Sequence, residues 1–172
     1  MDRITEVGRQ MNRASKRFTQ KDTIKMATTI KASIIINKPV DEVFAYVADV
    51  KTWPRWESGL LKAEQTSDGP LNVGTTFRGM NQALGQRMEW TSQVTNYIPC
   101  KSWGQKIVSK GWSTEESLAF EPFQGSTTKL ILVSELEMAG LLRLFAPFVA
   151  RKMQKQIEKN LVRLKDILEA RA

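Results

Sequence analysis

From Thr28 the chain alternates apolar and polar residues. Ile30, Ala32, Ile34 and Ile36 fall on one face, with Thr29, Lys31, Ser33 and Ile35 on the other. This period of two predicts a strand. Asn37-Lys38-Pro39 stops it, and Pro39, Asp41 and Glu42 suit a helix start. Val43, Phe44, Tyr46 and Val47 give that helix an apolar face through Val50, and a short second helix or turn follows around Lys51–Trp56.

A run of strands comes next. The pattern predicts them over Leu60–Thr66, Gly74–Met80, Arg87–Tyr97, Lys101–Ser109, Trp112–Glu121 and Thr127–Met138. Ser67-Asp68-Gly69-Pro70, Gly85, Pro99, Lys110-Gly111 and Gln124-Gly125-Ser126 divide them. Short strands joined by tight turns form an antiparallel meander. A long helix from about Leu141 to Ala170 closes the chain. Leu142, Phe145, Val149, Met153, Ile157, Leu161, Leu164 and Leu168 form its apolar stripe, and Pro147 predicts a kink or a break.

The fold class expected is therefore α+β: a curved antiparallel sheet of six to seven strands wrapped around one long C-terminal helix, with two short helices after the first strand. Only that helix can cover the sheet's apolar face. A curved sheet closes imperfectly on one helix, and the gap suits a small ligand. The alternation lines it with Phe77, Met88, Trp90, Val94, Trp103, Ile107, Trp112, Leu118, Phe120, Leu130, Leu132 and Leu136. The helix adds Leu142, Phe145, Val149 and Met153. An ordinary packed core is the competing reading of the same residues.

Polar residues inside this set carry the candidate chemistry. Glu116 has inward parity, where desolvation raises a carboxyl pKa and suits it to general acid or base work. A bulge at Glu115-Glu116 or a basic partner are the plainer readings. Ser92, Gln105, Thr114 and Ser134 share the inward parity, either to orient a ligand or to bond one another. Arg78 has outward parity, and Trp53-Pro54-Arg55-Trp56 reads as a structural cap or a gate. Cys100 is the lone cysteine.

Composition narrows the chemistry. The 172 residues contain no histidine and one cysteine. Ser/His/Asp and Cys/His catalysis, imidazole-bound metal and cysteine clusters are excluded. No metal or other cofactor is expected, and no phosphate- or dinucleotide-binding glycine motif is present. The apolar run 144–150 is far short of the ~20 residues of a membrane-crossing helix, and a reducing, cytoplasmic setting is expected.

The formal charge is +8. Residues 1–25 carry +4, residues 140–172 carry +5, and the stretch between carries −1. Residues 1–27 read as a basic, solvated extension ahead of a domain over 28–172. An upstream piece before a natural start at Met26, or an arm for nucleic acid or membrane, are the alternatives for it. In the helix, Arg151, Lys152, Lys155, Lys159, Arg163 and Lys165 flank the apolar stripe. A solvated face is the plainest account; peripheral contact with an anionic membrane is another, and nucleic acid is not favoured.

Residues 34–56, IIINKPVDEVFAYVADVKTWPRW, resemble the opening of the START-like helix-grip superfamily. That superfamily includes the SRPBCC proteins, the polyketide cyclase/dehydrase and lipid-transport group, and the birch-pollen-allergen type. Gly74-Thr75-Thr76-Phe77-Arg78, Val94–Pro99, Phe120-Glu121-Pro122, Thr127–Leu130 and Gly140-Leu141-Leu142 continue the likeness over about residues 28–170. The resemblance implies an apolar pocket and does not identify a reaction. The leading expectation is binding of a lipid-, polyketide- or aromatic-like molecule, as carrier or sensor without chemistry. The second is a polyketide cyclase or dehydratase using Glu116. The third is an interaction protein using its basic ends on RNA or an anionic membrane.

Overall fold

The computed structural model describes residues 27–170 apart from Leu84. The expected basic extension and the role of Met26 lie outside the described residues. Strand β1 (Thr28–Ile36) leads into helices α1 (Val40–Ala48) and α2 (Trp53–Trp56). Strands β2 (Leu60–Gln65), β3 (Thr76–Ala83), β4 (Gln86–Ile98), β5 (Ser102–Ser109), β6 (Trp112–Pro122) and β7 (Thr128–Met138) come after them. A 3₁₀ helix (Gly140–Phe145) runs into α3 (Ala146–Glu169).

The strands form one antiparallel seven-stranded sheet in the order β1-β7-β6-β5-β4-β3-β2. Neighbours in sequence are neighbours in space from β2 to β7, because short turns leave each strand no other partner. The β5–β6 turn is two residues long, Lys110-Gly111, and Gly111 takes a positive φ, 86°, that other residues rarely adopt. β1 pairs with β7 over its whole length, from Thr28 opposite Leu136 to Ile36 opposite Thr128. This is the expected helix-grip arrangement, with α3 laid along β1.

The corner of α1 and α2 is pinned from inside. Thr52 Oγ1 donates to Tyr46 O at 2.7 Å, and Trp53 Nε1 donates to Val47 O at 2.8 Å. The Trp53 ring lies 5.2 Å from that of Trp103 and 5.1 Å from that of Phe77. The Trp-Pro-x-Trp segment is thus a structural cap built into the core.

The C-terminal half of α3 buries Leu161, Leu164 and Leu168. Polar ties lock it to the β1 side. Gln154 Nε2 donates to Lys31 O at 3.0 Å, Lys165 Nζ to Ile35 O at 2.9 Å, and the Asn37 N–H to Glu169 Oε1 at 2.7 Å. Pro147 stands in the first turn of α3, where its missing N–H has no helical partner to lose. The expected break therefore falls at the start of the helix. The apolar stripe breaks there too. The tighter winding of the 3₁₀ segment rotates Leu142 and Phe145 off the face of Val149 and Met153, and both are exposed.

Candidate functional site

The concave face of the sheet is striped. Cross-strand register sets Ser134, Glu116 and Gln105 side by side on β7, β6 and β5. The next row carries Leu136, Thr114, Ile107, Ser92 and Phe77. These two rows form a polar belt. An apolar row of Leu132, Leu118 and Trp103 bounds it on one side. Met138, Trp112 and Trp90 bound it on the other.

Glu116 is the acid of this belt. Gln105 Nε2 donates to its Oε1 at 3.4 Å, and burial raises its pKa against that stabilising bond. The strand does not bulge at Glu115-Glu116. Glu115 faces outward in an ion pair with Lys106 at 3.2 Å, and the nearby register shift falls in β4 between Val94 and Asn96.

A second acid, Glu57, joins it from the end of α2. Its backbone N–H caps that helix on Trp53 O at 2.8 Å. Its pKa is pushed up to about 8, first by burial and second by the charge of Glu116. The residue is only half-buried by area, while its carboxyl is deep enough to be desolvated. Near neutral pH Glu57 is mostly a neutral carboxylic acid, a hydrogen-bond donor. Glu57 lies in no periodic segment, so alternation did not mark it; its place beside the Trp-Pro-x-Trp cap was the available signal.

Several buried side-chain atoms in this interior have no protein partner: Ser92 Oγ, Thr114 Oγ1, Ser134 Oγ, Gln105 Oε1, Trp103 Nε1 and Trp56 Nε1. The two indole N–H groups can only donate, and the three hydroxyls can donate or accept. With the neutral carboxyl of Glu57 they add donors to the core.

Of the residues expected to line the gap, Phe77, Trp90, Trp103, Leu118, Phe120, Leu132 and Ser134 are buried. Met88, Trp112, Glu116 and Val149 are half-buried. Trp90 is fixed by a bond missed in the sequence, Nε1 donating to Asn81 Oδ1 at 2.8 Å. Leu142 and Phe145 face solvent on the 3₁₀ helix. Arg78 lies on the opposite, convex face. There it pairs with Glu64, whose carboxyl is held below the usual range by bonds from Arg78 and Lys62. A groove of about 460 Å³ on that face includes all three.

Residues 27–169 match the family model described as polyketide cyclase / dehydrase and lipid transport. No curated protein matches the chain in sequence. Among solved structures, a START superfamily protein from Mycobacterium smegmatis superposes with TM-score 0.72 and 12% identity, over 84% of this chain and 99% of that one. The Zhui aromatase/cyclase from Streptomyces sp. R1128 gives 0.70 and 16%, over 84% and 95%. TTHA0849 from Thermus thermophilus gives 0.71 and 18%, over 83% and 98%. At such identities the likeness is one of fold.

Proposed function

The chain belongs to the polyketide cyclase / dehydrase and lipid transport family, and from that premise we propose that it binds a small hydrophobic molecule between the sheet and α3. The ligand carries acceptor oxygens, carbonyl or hydroxyl, along an otherwise apolar body. One observation supports this most: the hydroxyls of Ser92, Thr114 and Ser134, buried without a protein partner, stand in adjacent rows of the concave face. Buried polar groups left unpaired are costly, and a guest or ordered water restores their bonds. The flanking rows of Leu, Trp and Met would hold the apolar body by area burial, at ~25 cal/mol per Å². Intrinsic tryptophan fluorescence tests the reading. A fused-ring ketone should quench it saturably at one-to-one stoichiometry, and a linear, unsaturable response refutes it.

A second reading, an enzyme of the cyclase or dehydratase class, is favoured by Glu57 and Glu116. A carboxyl with a raised pKa donates a proton in its neutral form and takes one back when ionised. Two such groups in one apolar interior suit proton transfer to and from a carbonyl compound. Under this reading Glu57→Gln and Glu116→Gln abolish turnover and leave binding nearly intact. Equal turnover in both variants removes it.

A further inference from the structure

The start of the C-terminal helical segment exposes far more apolar surface than a solvated helix face. No residue of the 3₁₀ helix is buried. Leu141 is 83% exposed, Leu144 78%, Phe145 60%, Phe148 60% and Leu142 46%. Five large apolar side chains thus project from eight consecutive residues. Isolated exposed leucines are ordinary, whereas a contiguous cluster marks a contact surface.

The charges along this segment have one sign. Arg143, Arg151, Lys152 and Lys155 are all exposed, and no Asp or Glu occurs from Met138 to Ile157. Lys152 Nζ stands 4.7 Å over the Phe148 ring. The β5–β6 turn packs beside Leu142 and brings Lys110, a further cation, to the same end. The nearest carboxylates along the chain are Glu137 and Glu158.

We propose that residues 141–155 form a docking surface for an anionic lipid bilayer. Charge complementarity chooses the occupant. The exposed apolar side chains interleave along the segment with exposed cations, and a bilayer offers an apolar layer beneath an anionic one. Leu141, Leu144, Phe145 and Phe148 enter the acyl boundary, while Arg143, Arg151 and Lys152 meet the phosphates. The proposal stands on this surface alone and does not depend on the ligand reading.

Co-sedimentation of the full chain tests it, with vesicles of phosphatidylcholine alone or mixed with phosphatidylglycerol. The chain is expected to sediment with the mixed vesicles. The double variant Leu144→Glu/Phe148→Glu should lose about tenfold or more in affinity. Arg151→Gln/Lys152→Gln should lose about fivefold or more of the preference for anionic vesicles. All four positions are exposed, so an unchanged thermal melt accompanies both results. The proposal is overturned if the parent chain stays in the supernatant at low salt. Equal binding by both variants also overturns it, since the basic residues ahead of residue 27 then carry the contact. A dimer of the parent that Leu144→Glu/Phe148→Glu dissolves does so as well, giving the surface to a second copy of the chain.

Discussion

Gln105 donates its side-chain amide to Glu116 across the β5–β6 pair, Nε2 to Oε1 at 3.4 Å, while its own Oε1 is left without a partner. The bond favours the charged acid, and burial disfavours it more strongly. Glu116→Gln preserves the shape and removes the ionisable group. Burial favours the protonated acid, and the glutamine amide also donates, so binding of a ketone ligand should change by about threefold or less. Calorimetric titration of the two proteins checks this. A loss of a hundredfold would mean that the ionised form is the one the ligand uses.

Glu57 sets a pH dependence. Its folded pKa of about 8 lies above the ordinary value of 4.5, so the folded state holds the proton more tightly than the unfolded chain. Its contribution to stability is complete below the unfolded value and declines as pH rises through the folded one. The unfolding free energy should therefore fall from about pH 4.5 towards pH 8, by at most ~1.4 kcal/mol per unit. Urea titrations at several pH values check the slope, which Glu57→Gln should flatten.

Gly79 makes room for Trp90. A Cβ at Gly79 would stand 2.1 Å from Trp90 Cζ2, and the bond from Trp90 to Asn81 keeps the ring from swinging aside. Gly79→Ala should destabilise the fold by ~1–3 kcal/mol, the usual cost of overpacking. Thermal melts read the loss directly. A shifted Trp90 emission would show the ring displaced.

Two leucines of the helical segment should answer alanine substitution in opposite ways. Leu164 is fully buried against the core, and Leu144 is exposed. Leu164→Ala should cost ~2–5 kcal/mol, and Leu144→Ala about 0.5 kcal/mol or less. Chemical denaturation of both variants compares them.

The strands were legible because alternation is a binary signal: parity alone turns Trp90, Glu116 and Ser134 to one face. It could not reveal Glu57, which reaches the interior from the end of a four-residue helix. Nor could it reveal that Leu142 and Phe145 leave the stripe. Their spacing fits an α-helix, but Pro147 confines the α-helix to the residues after Phe145. The polar belt needed register as well as parity. Ser92, Gln105, Thr114 and Ser134 were assignable to the inner face one by one. Their gathering into two adjacent rows depends on pairings such as Gln105 with Glu116 and Glu116 with Ser134.

The central claim is that the donors of the polar belt receive the oxygens of an apolar guest. Native mass spectrometry with matched pairs, a fused-ring hydrocarbon and its keto or hydroxy counterpart, tests this most directly. The account predicts a one-to-one complex with the oxygenated member, and about tenfold weaker retention by the Thr114→Val/Ser134→Val variant. Equal retention of the hydrocarbon, or unchanged binding by that variant, would contradict it.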